Sequence, residues 1–299
     1  MDVHALAATP PWDWPADARN EILAALRNPE APQEDRLMGA DLAGELIVMD
    51  DEMAEELLRI LDDAGEEEAL RGSAAISLGP ALEEADLQFP DDLDPPAVSQ
   101  ALCNRAKSVL RRRYMDPGTP KAVRRLALEA SVRAPEPWHS GAVRAAYHDG
   151  DRDWKLTAVF CMRFVTGFED EIVESLGSHD GGILYEAVCA ARDQEVEGAW
   201  PYVRNLVLAA SRGAPLLQDD PDGQWYLLLA AMNAVAHIRP MEAHETLAGL
   251  VDSDDDAIAE AAMEVLDMVE ALWMGEDEEE VDDELDFRSQ QGPQEPTWH

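Results

Sequence analysis

Residues 61–79 read LDDAGEEEALRGSAAISLG, and this stretch decides the fold. It ends one apolar helix, turns through a short acidic loop and begins a second helix with an apolar stripe. We take Arg71 as the anchor of the second helix, in the frame ALRGSAAISLG. Because one helical hairpin cannot bury its apolar stripe alone, a chain that repeats this plan must stack its hairpins.

The same frame recurs along the chain. Its copies are anchored at Arg36 (the weakest), Arg71, Arg124, Lys155, Tyr185, Tyr226 and Ala259. The steps between successive anchors are 35, 53, 31, 30, 41 and 33 residues, and most of them fit a two-helix unit. The step of 53 leaves room for an insertion. The pattern therefore predicts an all-α superhelix, or solenoid, of about six to seven helical hairpins.

The last copy shows most clearly how each second helix is built. Its apolar positions follow the i, i+3, i+4, i+7 spacing of one helix face: Ile258, Ala261, Ala262, Val265, Leu266, Val269 and Leu272. Aspartates 254–256 precede it, where carboxylates can accept free backbone N–H groups. Elsewhere, the pattern predicts helices over 18–27, 34–49, 52–61 and 241–251.

The frame resembles a known repeat. The acidic turn, the Leu-Arg pair, the Ala-Ala pair and the Leu-Gly ending are similar to HEAT-like repeats of the phycobilin-lyase type. The matching residues are Asp63, Leu70, Arg71, Ala74, Ala75, Leu78 and Gly79. The resemblance covers roughly residues 33–274 and weakens towards the C-terminus. It implies the superhelical fold but leaves function open, because scaffolds, adaptors, pigment lyases and nucleic-acid binders all use such repeats.

Composition sets the boundaries of this array. Residues 1–18, with Trp12 and Trp14 among prolines, are expected to form an extended leader that caps the first hairpin, and residues 19–274 to form the solenoid. The Asp- and Pro-rich segment 83–96 is expected to be a loop, and the acidic residues 275–299 a disordered tail. No apolar run approaches the roughly 20 residues of a membrane span, and the start lacks the pattern of a secretory signal. These features predict a cytoplasmic protein that does not enter membranes.

The charge of the chain is extreme, at −40. Adaptation to a salty cytosol, or an arginine-biased genome combined with a solubilising surface, accounts for such a value without a partner. An acidic face that receives a basic protein also accounts for it. Membranes and bare nucleic acid would be repelled by most of the chain.

One segment reverses this charge. Residues 105–163 carry 13 basic and six acidic residues, a net charge of +7. Its clusters include Arg111, Arg112, Arg113, Lys121, Arg124 and Arg125. These side chains either pair with acidic turns of adjacent repeats or line a groove for an acidic or phosphate-bearing ligand. The sequence leaves both readings open.

Aromatic and cationic residues recur near the start of the second helices. They are Trp154, Lys155, Tyr185, Trp225 and Tyr226. On the concave face of a solenoid, tyrosine and tryptophan are good anchors for a partner. Packing between adjacent repeats is the alternative explanation.

Residues with catalytic or metal-binding spacing are sparse. The three cysteines, Cys103, Cys161 and Cys189, form no Cys-x-x-Cys pair and read as reduced core thiols. Asp149, Asp151 and Asp153 match the first three ligand positions of a calcium-binding loop. However, Trp154 and Phe160 stand at the positions where such a loop needs glycine and glutamate. Helix capping explains these aspartates better. We therefore predict no catalytic residue, cofactor or metal site.

The sequence favours a non-catalytic scaffold or adaptor that binds another protein through its concave face. One alternative is a nucleic-acid-handling protein, because alkylpurine DNA glycosylases use similar repeats with a basic face, tryptophans and an aspartate; Asp153 and Trp154 would be the corresponding pair here. A second is an acidic charge mimic that sequesters a basic protein. The family resemblance alone adds pigment lyase activity.

Overall fold

The fold is entirely helical wherever the computed structural model describes the chain, which is over residues 2–87, 96–217 and 220–271. The chain divides into two compact units, Met1–Phe168 and Glu169–His299. We call these unit 1 and unit 2. The all-α fold and the array of successive hairpins are confirmed within each unit.

Unit 1 contains four hairpins and two additional helices in its described residues. Its helices are α1 (Val3–Ala7), α2 (Ala18–Arg27), α3 (Gln33–Leu42), α4 (Asp51–Asp62), α5 (Glu68–Ile76), α6 (Gly79–Asp86), α7 (Gln100–Met115), α8 (Lys121–Ser131), α9 (Trp138–Tyr147) and α10 (Arg152–Cys161). The hairpins are α2–α3, α4–α5, α7–α8 and α9–α10. The first helices α2, α4 and α7 pack in one row, and the second helices α3, α5, α8 and α10 in another. This two-row stacking lets each hairpin bury its apolar face on the next.

Unit 2 continues the same plan. Its helices are α11 (Glu169–Ser175), α12 (Gly181–Asp193), α13 (Trp200–Ala210), α14 (Pro221–Ile238) and α15 (Pro240–Val251), followed by a helix over residues 256–271. The second helices α12 and α14 pack side by side, as do the first helices α13 and α15. Together with unit 1, the described ranges contain seven hairpins, as the anchor spacing predicts.

Every anchor residue lies in the first two turns of a second helix. Arg36, Arg71, Arg124 and Lys155 are each the fourth residue of their helix, whereas Tyr185 is the fifth of α12. Tyr226 is the sixth residue of α14, and Ala259 is the fourth of the last helix. The number of residues between successive anchors therefore corresponds to the number of residues from one hairpin to the next along the chain.

The anchor arginines close their own hairpins. Arg36, Arg71 and Arg124 each donate a hydrogen bond to the carbonyl ten residues earlier. These acceptors are Leu26, Leu61 and Tyr114, each the last residue but one of the preceding helix, at 3.3, 3.2 and 2.8 Å. The last carbonyls of a helix lack intrahelical partners, and a cation suits the negative end of the helix dipole. The repeated arginine is thus a structural clamp between the two helices of a hairpin.

Arg36 also joins its hairpin to the next one. Its two terminal nitrogens each lie 2.6 Å from an oxygen of Glu66, in the turn before α5. Both side chains are largely buried, with exposed fractions of 7% and 14%. The hydrogen bonds from Arg36 hold the pKa of Glu66 below its ordinary value. Such a two-pronged arginine–carboxylate contact fixes both distance and angle between neighbouring hairpins.

The N-terminal segment differs from the predicted extended leader. Residues 3–7 form the short helix α1, because Asp2 caps it by accepting a hydrogen bond from the Ala5 amide at 2.9 Å. Trp14 packs against the core of unit 1 and donates its indole N–H to the carbonyls of Leu6 and Thr9. Trp12 is exposed, so only one of the two tryptophans packs as predicted.

Two other predicted boundaries are wrong. The helix predicted over 34–49 ends at Leu42, and the chain then turns so that Val48 and Met49 bury their side chains before α4. The loop predicted over 83–96 begins later, because the first residues of that range belong to α6. Helix α6 and the segment that follows it account for the 53-residue step. Residues 88–95 of that loop and the whole of the predicted tail, 275–299, lie outside the described residues.

Candidate functional site

The arginine cluster on α7 pairs with the preceding hairpin. Arg112 contacts both carboxylate oxygens of Asp62, at 2.8 and 2.6 Å, and Arg113 contacts the same carboxylate at 2.8 Å. Burial alone would raise the pKa of Asp62, but the hydrogen bonds from the two arginines outweigh it and leave that pKa below its ordinary value. Arg105, two turns earlier, pairs with Glu55 at 3.0 Å. Most of this cluster is therefore engaged inside unit 1.

Lys121 pairs with acidic groups at the start of the next second helix. Its ammonium lies 2.8 Å from Asp151 and 3.0 Å from Asp153, and these bonds raise the pKa of Lys121 and lower those of both carboxyls. Asp151 also caps α10, accepting the amides of Asp153 and Trp154. The prediction that capping explains the aspartates of this turn is confirmed for Asp151.

Arg125 belongs to a polar chain between α8 and α10. Its Nε donates to the hydroxyl of Thr157 at 2.8 Å, and that hydroxyl donates to Glu129 at 2.5 Å. Burial raises the pKa of Glu129, against the opposing effects of the Thr157 hydrogen bond and the charge of Arg125. Arg125 thus donates a hydrogen bond to a buried group between two hairpins. This agrees with the interpretation that the cations of this segment form contacts between adjacent repeats.

Arg124 and Trp154 lie together in an aromatic cluster. The guanidinium of Arg124 is 5.4 Å from the ring centroid of Trp154 and 5.9 Å from that of Tyr114. The two rings meet edge to face at 6.2 Å. Trp154 is only 8% exposed, so its ring serves packing between hairpins.

Lys155 makes an aromatic contact of the same kind. Its ammonium lies 4.6 Å from the ring centroid of Tyr147, the last residue of α9. The fourth hairpin of unit 1 therefore also places a cation of the second helix against the end of the first.

Like Arg112, Arg111 is an exposed cation of the cluster. Its guanidinium lies 5.5 Å from the ring centroid of Trp138, which in turn packs against Tyr114 with centroids 5.5 Å apart. Within residues 2–87, 96–217 and 220–271 it forms no ion pair. Of the six cations on which the acidic-ligand interpretation depends, Arg111 and Arg124 have no acidic or hydroxyl partner in this part of the chain, and the Nε of Arg124 donates instead to the carbonyl of Tyr114.

A buried histidine adjoins the aromatic cluster. His139 is 1% exposed; its Nδ1 accepts the amide N–H of Glu136 at 2.8 Å. Its Nε2 lies 3.0 Å from the hydroxyl of Ser131, which donates to the carbonyl of Leu128. Burial lowers the pKa of His139 to about 4. The ring is therefore neutral near pH 7, with its proton on Nε2.

Two of the three remaining predicted residues, Tyr185 and Tyr226, line a groove in unit 2. They lie in the second turns of α12 and α14, and Leu217 and Asp220 precede α14. The groove encloses about 320 Å³, and Tyr226 is 60% exposed. A second depression of about 510 Å³ adjoins it and shares Leu217, Asp220 and Gly181. Trp225 is half-buried and lines neither depression in the part of unit 2 that the structure describes.

Glycines keep the floor of this groove open. A Cβ on Gly181 would come within 3.2 Å of the Leu217 side chain. A Cβ on Gly223 would collide with the carboxylate of Asp220, which accepts the Gly223 amide at 2.8 Å. We call the combined surface of Tyr185, Tyr226, Leu217 and Asp220 the tyrosine groove.

The structure adds residues that the sequence patterns did not single out. Tyr114 and Trp138 complete the aromatic cluster, Asp62 neutralises two arginines, and Asp220 lines the tyrosine groove. A signal for Asp62 was available, because it lies 50 residues before Arg112, close to the 53-residue step of the frame. No comparable spacing identifies the other three.

The described residues also bear on metals, thiols and membranes. Cys103, Cys161 and Cys189 are buried thiols, in agreement with their prediction as core thiols. Among the described residues, no group of three or more His, Cys, Asp or Glu side chains is arranged to hold a metal ion. No helix in the same residues is both long and apolar enough to cross a membrane.

Comparison with models of known protein families finds none that matches the chain, and comparison with curated proteins finds no match either.

Proposed function

We propose that this protein is a non-catalytic, HEAT-like adaptor that binds a basic surface of another protein. The proposal rests on one observation. Most lysine and arginine side chains of unit 1 form contacts within that unit, whereas acidic residues greatly outnumber basic residues in unit 2. Residues 169–299 contain 32 acidic and five basic residues, a net charge of −27. Complementary charge of this size steers association and excludes like-charged partners.

The same distribution weighs against nucleic acid. Phosphate contacts by lysine and arginine supply most of the affinity of nucleic-acid binders, and the engaged cations of unit 1 leave few for that purpose. A glycosylase-like role would also need an accessible aromatic ring beside its aspartate. Trp154 is buried, and Asp153 lies 3.0 Å from Lys121.

The three buried cysteines are thiols and not disulfides, which supports a reducing compartment, since disulfides persist in oxidising ones. We therefore place the proposed adaptor in the cytoplasm.

Capture from native lysate tests the proposal. The full chain, immobilised, should retain one or a few proteins with basic surfaces. Their retention should fall steeply between about 0.1 and 1 M salt, because the Debye length shrinks from about 10 to about 3 Å. A gel shift with duplex DNA should show no complex at about 0.1 M salt. Retention of acidic proteins alone, or a DNA complex at that salt concentration, would contradict the proposal.

Reversal of one exposed charge separates the two readings of the arginine-rich segment. Arg111→Glu should leave the affinity for a basic partner unchanged or raise it about threefold, through one favourable exposed interaction worth up to about 1 kcal/mol. Titration calorimetry with the captured partner measures this, and Arg111→Gln provides the neutral intermediate. If both variants weaken binding in proportion to the charge removed, the cluster is a groove for an acidic ligand.

A charge mimic is the second candidate, favoured by the same −27 of residues 169–299. A mimic would occupy the surface that its partner uses for DNA. Adding duplex DNA should then displace the captured protein from the chain. An adaptor should instead retain its partner in the presence of DNA.

A further inference from the structure

We propose that the tyrosine groove of unit 2 binds an arginine side chain of a basic peptide segment in the partner protein. This inference rests on the proposed function, and it names the site and the chemistry that the site recognises. Four features of the described residues carry it: the two rings, the carboxylate, the apolar floor and the charge around them.

The rings come from neighbouring helices. Tyr185 lies in the second turn of α12 and Tyr226 in the second turn of α14, and both line the same depression. Tyr226 leaves 60% of its surface in contact with solvent, so its ring is accessible to a ligand. A guanidinium that lies over such a ring within about 6 Å of its centroid is attracted by the ring quadrupole.

A carboxylate stands beside the rings. Asp220 lines both depressions, and its Oδ1 accepts one backbone amide, that of Gly223. A carboxylate has about four acceptor positions, so it retains capacity for a guanidinium. A cation placed between Asp220 and the tyrosines would therefore gain an ionic and an aromatic contact together.

Helix polarity does not reverse this preference. The N-termini of α12 and α14 each carry about half a positive charge. Their caps, Asp180 and Asp220, each contribute a full negative charge and accept the amides of Ile183 and Gly223. Among the described residues, no lysine or arginine lines either depression, and the charge they contribute to the groove is negative.

The floor of the groove selects for a peptide over a free ion. Leu217 lines both depressions, and Leu184 lines the second. Apolar side chains next to a cation-binding site offer burial to the residue that precedes or follows the arginine. A segment in which arginine alternates with an aliphatic residue fits this combination, because extended chains point successive side chains in opposite directions.

Peptide binding to the full chain tests the assignment. The probe is a fluorescein-labelled nonapeptide of alternating arginine and leucine, measured by fluorescence anisotropy at about 0.15 M salt, where exposed charges more than about 8 Å apart are screened. Tyr226→Ala should weaken binding about five- to tenfold, since a partly desolvated cation–π contact is lost, whereas Tyr226→Phe should bind within twofold of the original chain. Asp220→Asn should weaken binding about threefold, because asparagine keeps the helix cap but removes the charge. The same peptide with citrulline in place of arginine should bind at least tenfold more weakly.

Two matched variants control for diffuse attraction to an acidic protein. Tyr202→Ala removes another exposed tyrosine of unit 2, on α13. Asp255→Asn removes one charge from another aspartate that accepts amides at the start of a helix. Both should leave the affinity for the peptide within twofold.

Equal weakening by the groove variants and the controls would overturn the assignment, as would unchanged binding in Tyr226→Ala. If that happens while the chain still captures a basic protein, the groove assignment fails and the proposed function stands. If the chain captures no basic protein, the proposed function fails. Tighter binding of the matching glutamate peptide would also overturn the assignment, in favour of an anion at the helix N-termini.

Discussion

Glu66→Gln is expected to lower the free energy of unfolding by about 3 kcal/mol, because it leaves the buried guanidinium of Arg36 without its carboxylate. The wild-type contact is two-pronged, with both nitrogen–oxygen distances at 2.6 Å and both side chains largely buried. The new amide also places a donor against a donor. Chemical denaturation measures the loss, and hydrogen exchange over residues 18–76 should locate it in the first two hairpins.

Two variants make this result interpretable. Arg105→Gln removes one partner of an exposed contact between hairpins, Arg105–Glu55 at 3.0 Å, and should cost at most about 1 kcal/mol. Replacing both Arg36 and Glu66 with methionine should recover much of the loss, since no buried charge is then left unpaired. If Glu66→Gln costs no more than Arg105→Gln, the Arg36–Glu66 pair does not hold the hairpins in register.

The Glu66 contact also has a defined pH dependence. Because the folded-state pKa of Glu66 lies below its value of 4.5 in the unfolded chain, the stabilisation is complete above pH 4.5. It is lost as the pH falls through the folded-state pKa. Glu66→Gln should remove this part of the acid sensitivity.

Acidification from pH 6.5 to 4 is expected to destabilise the protein by up to about 3 kcal/mol through His139 alone. Its pKa is about 4 in the folded chain and 6.5 in the unfolded chain. Between these pH values His139 binds a proton in the unfolded chain but not in the folded chain, so the free energy of unfolding decreases as the pH falls. The low pKa of His139 has a geometric cause in addition to burial, because a proton on Nδ1 would face the amide N–H of Glu136.

The surroundings of His139 reinforce this low pKa. The charge of Glu136 raises the pKa of His139, while the charges of Arg111 and Lys107 on α7 lower it further. An NMR titration of the imidazole should give a folded-state pKa near 4. The unfolding free energy of His139→Asn should depend less steeply on pH between 6.5 and 4, whereas Ser131→Ala should lose about 1 kcal/mol at every pH and keep the step. A folded-state pKa near 6.5 would contradict the expectation.

The fold followed from the sequence because its signals are local. Helical periodicity and hairpin length are set within about 40 residues, so the anchors at Arg71, Arg124 and Lys155 fell at the same position of successive second helices. The ends of α1 and α3 were missed because they depend on a single cap at Asp2 and on the burial of Met49. Tertiary contacts of that kind override a periodic pattern.

The candidate site was harder to predict, because pairing depends on which hairpins are neighbours. Arg112 was equally compatible with a ligand and with an internal carboxylate until the stacking placed Asp62 beside it. The tyrosine groove depends on Asp220, whose position relative to Tyr185 is set by the packing of α14 on α12. The separation of 50 residues between Asp62 and Arg112 lies close to the 53-residue step of the frame, whereas the tyrosine groove has no comparable signal in the sequence.

The charged contacts between hairpins have one further consequence. Arg36 reaches 30 residues ahead to Glu66, Lys121 reaches 30 ahead to Asp151, and Arg112 reaches 50 back to Asp62. These hairpins of unit 1 thus carry the counter-ions of particular neighbours, so they are not interchangeable. Deletion of residues 51–76 would leave the cations on both sides of the deletion without their counter-ions. Arrays in which these hairpins are rearranged should assemble only in their native order.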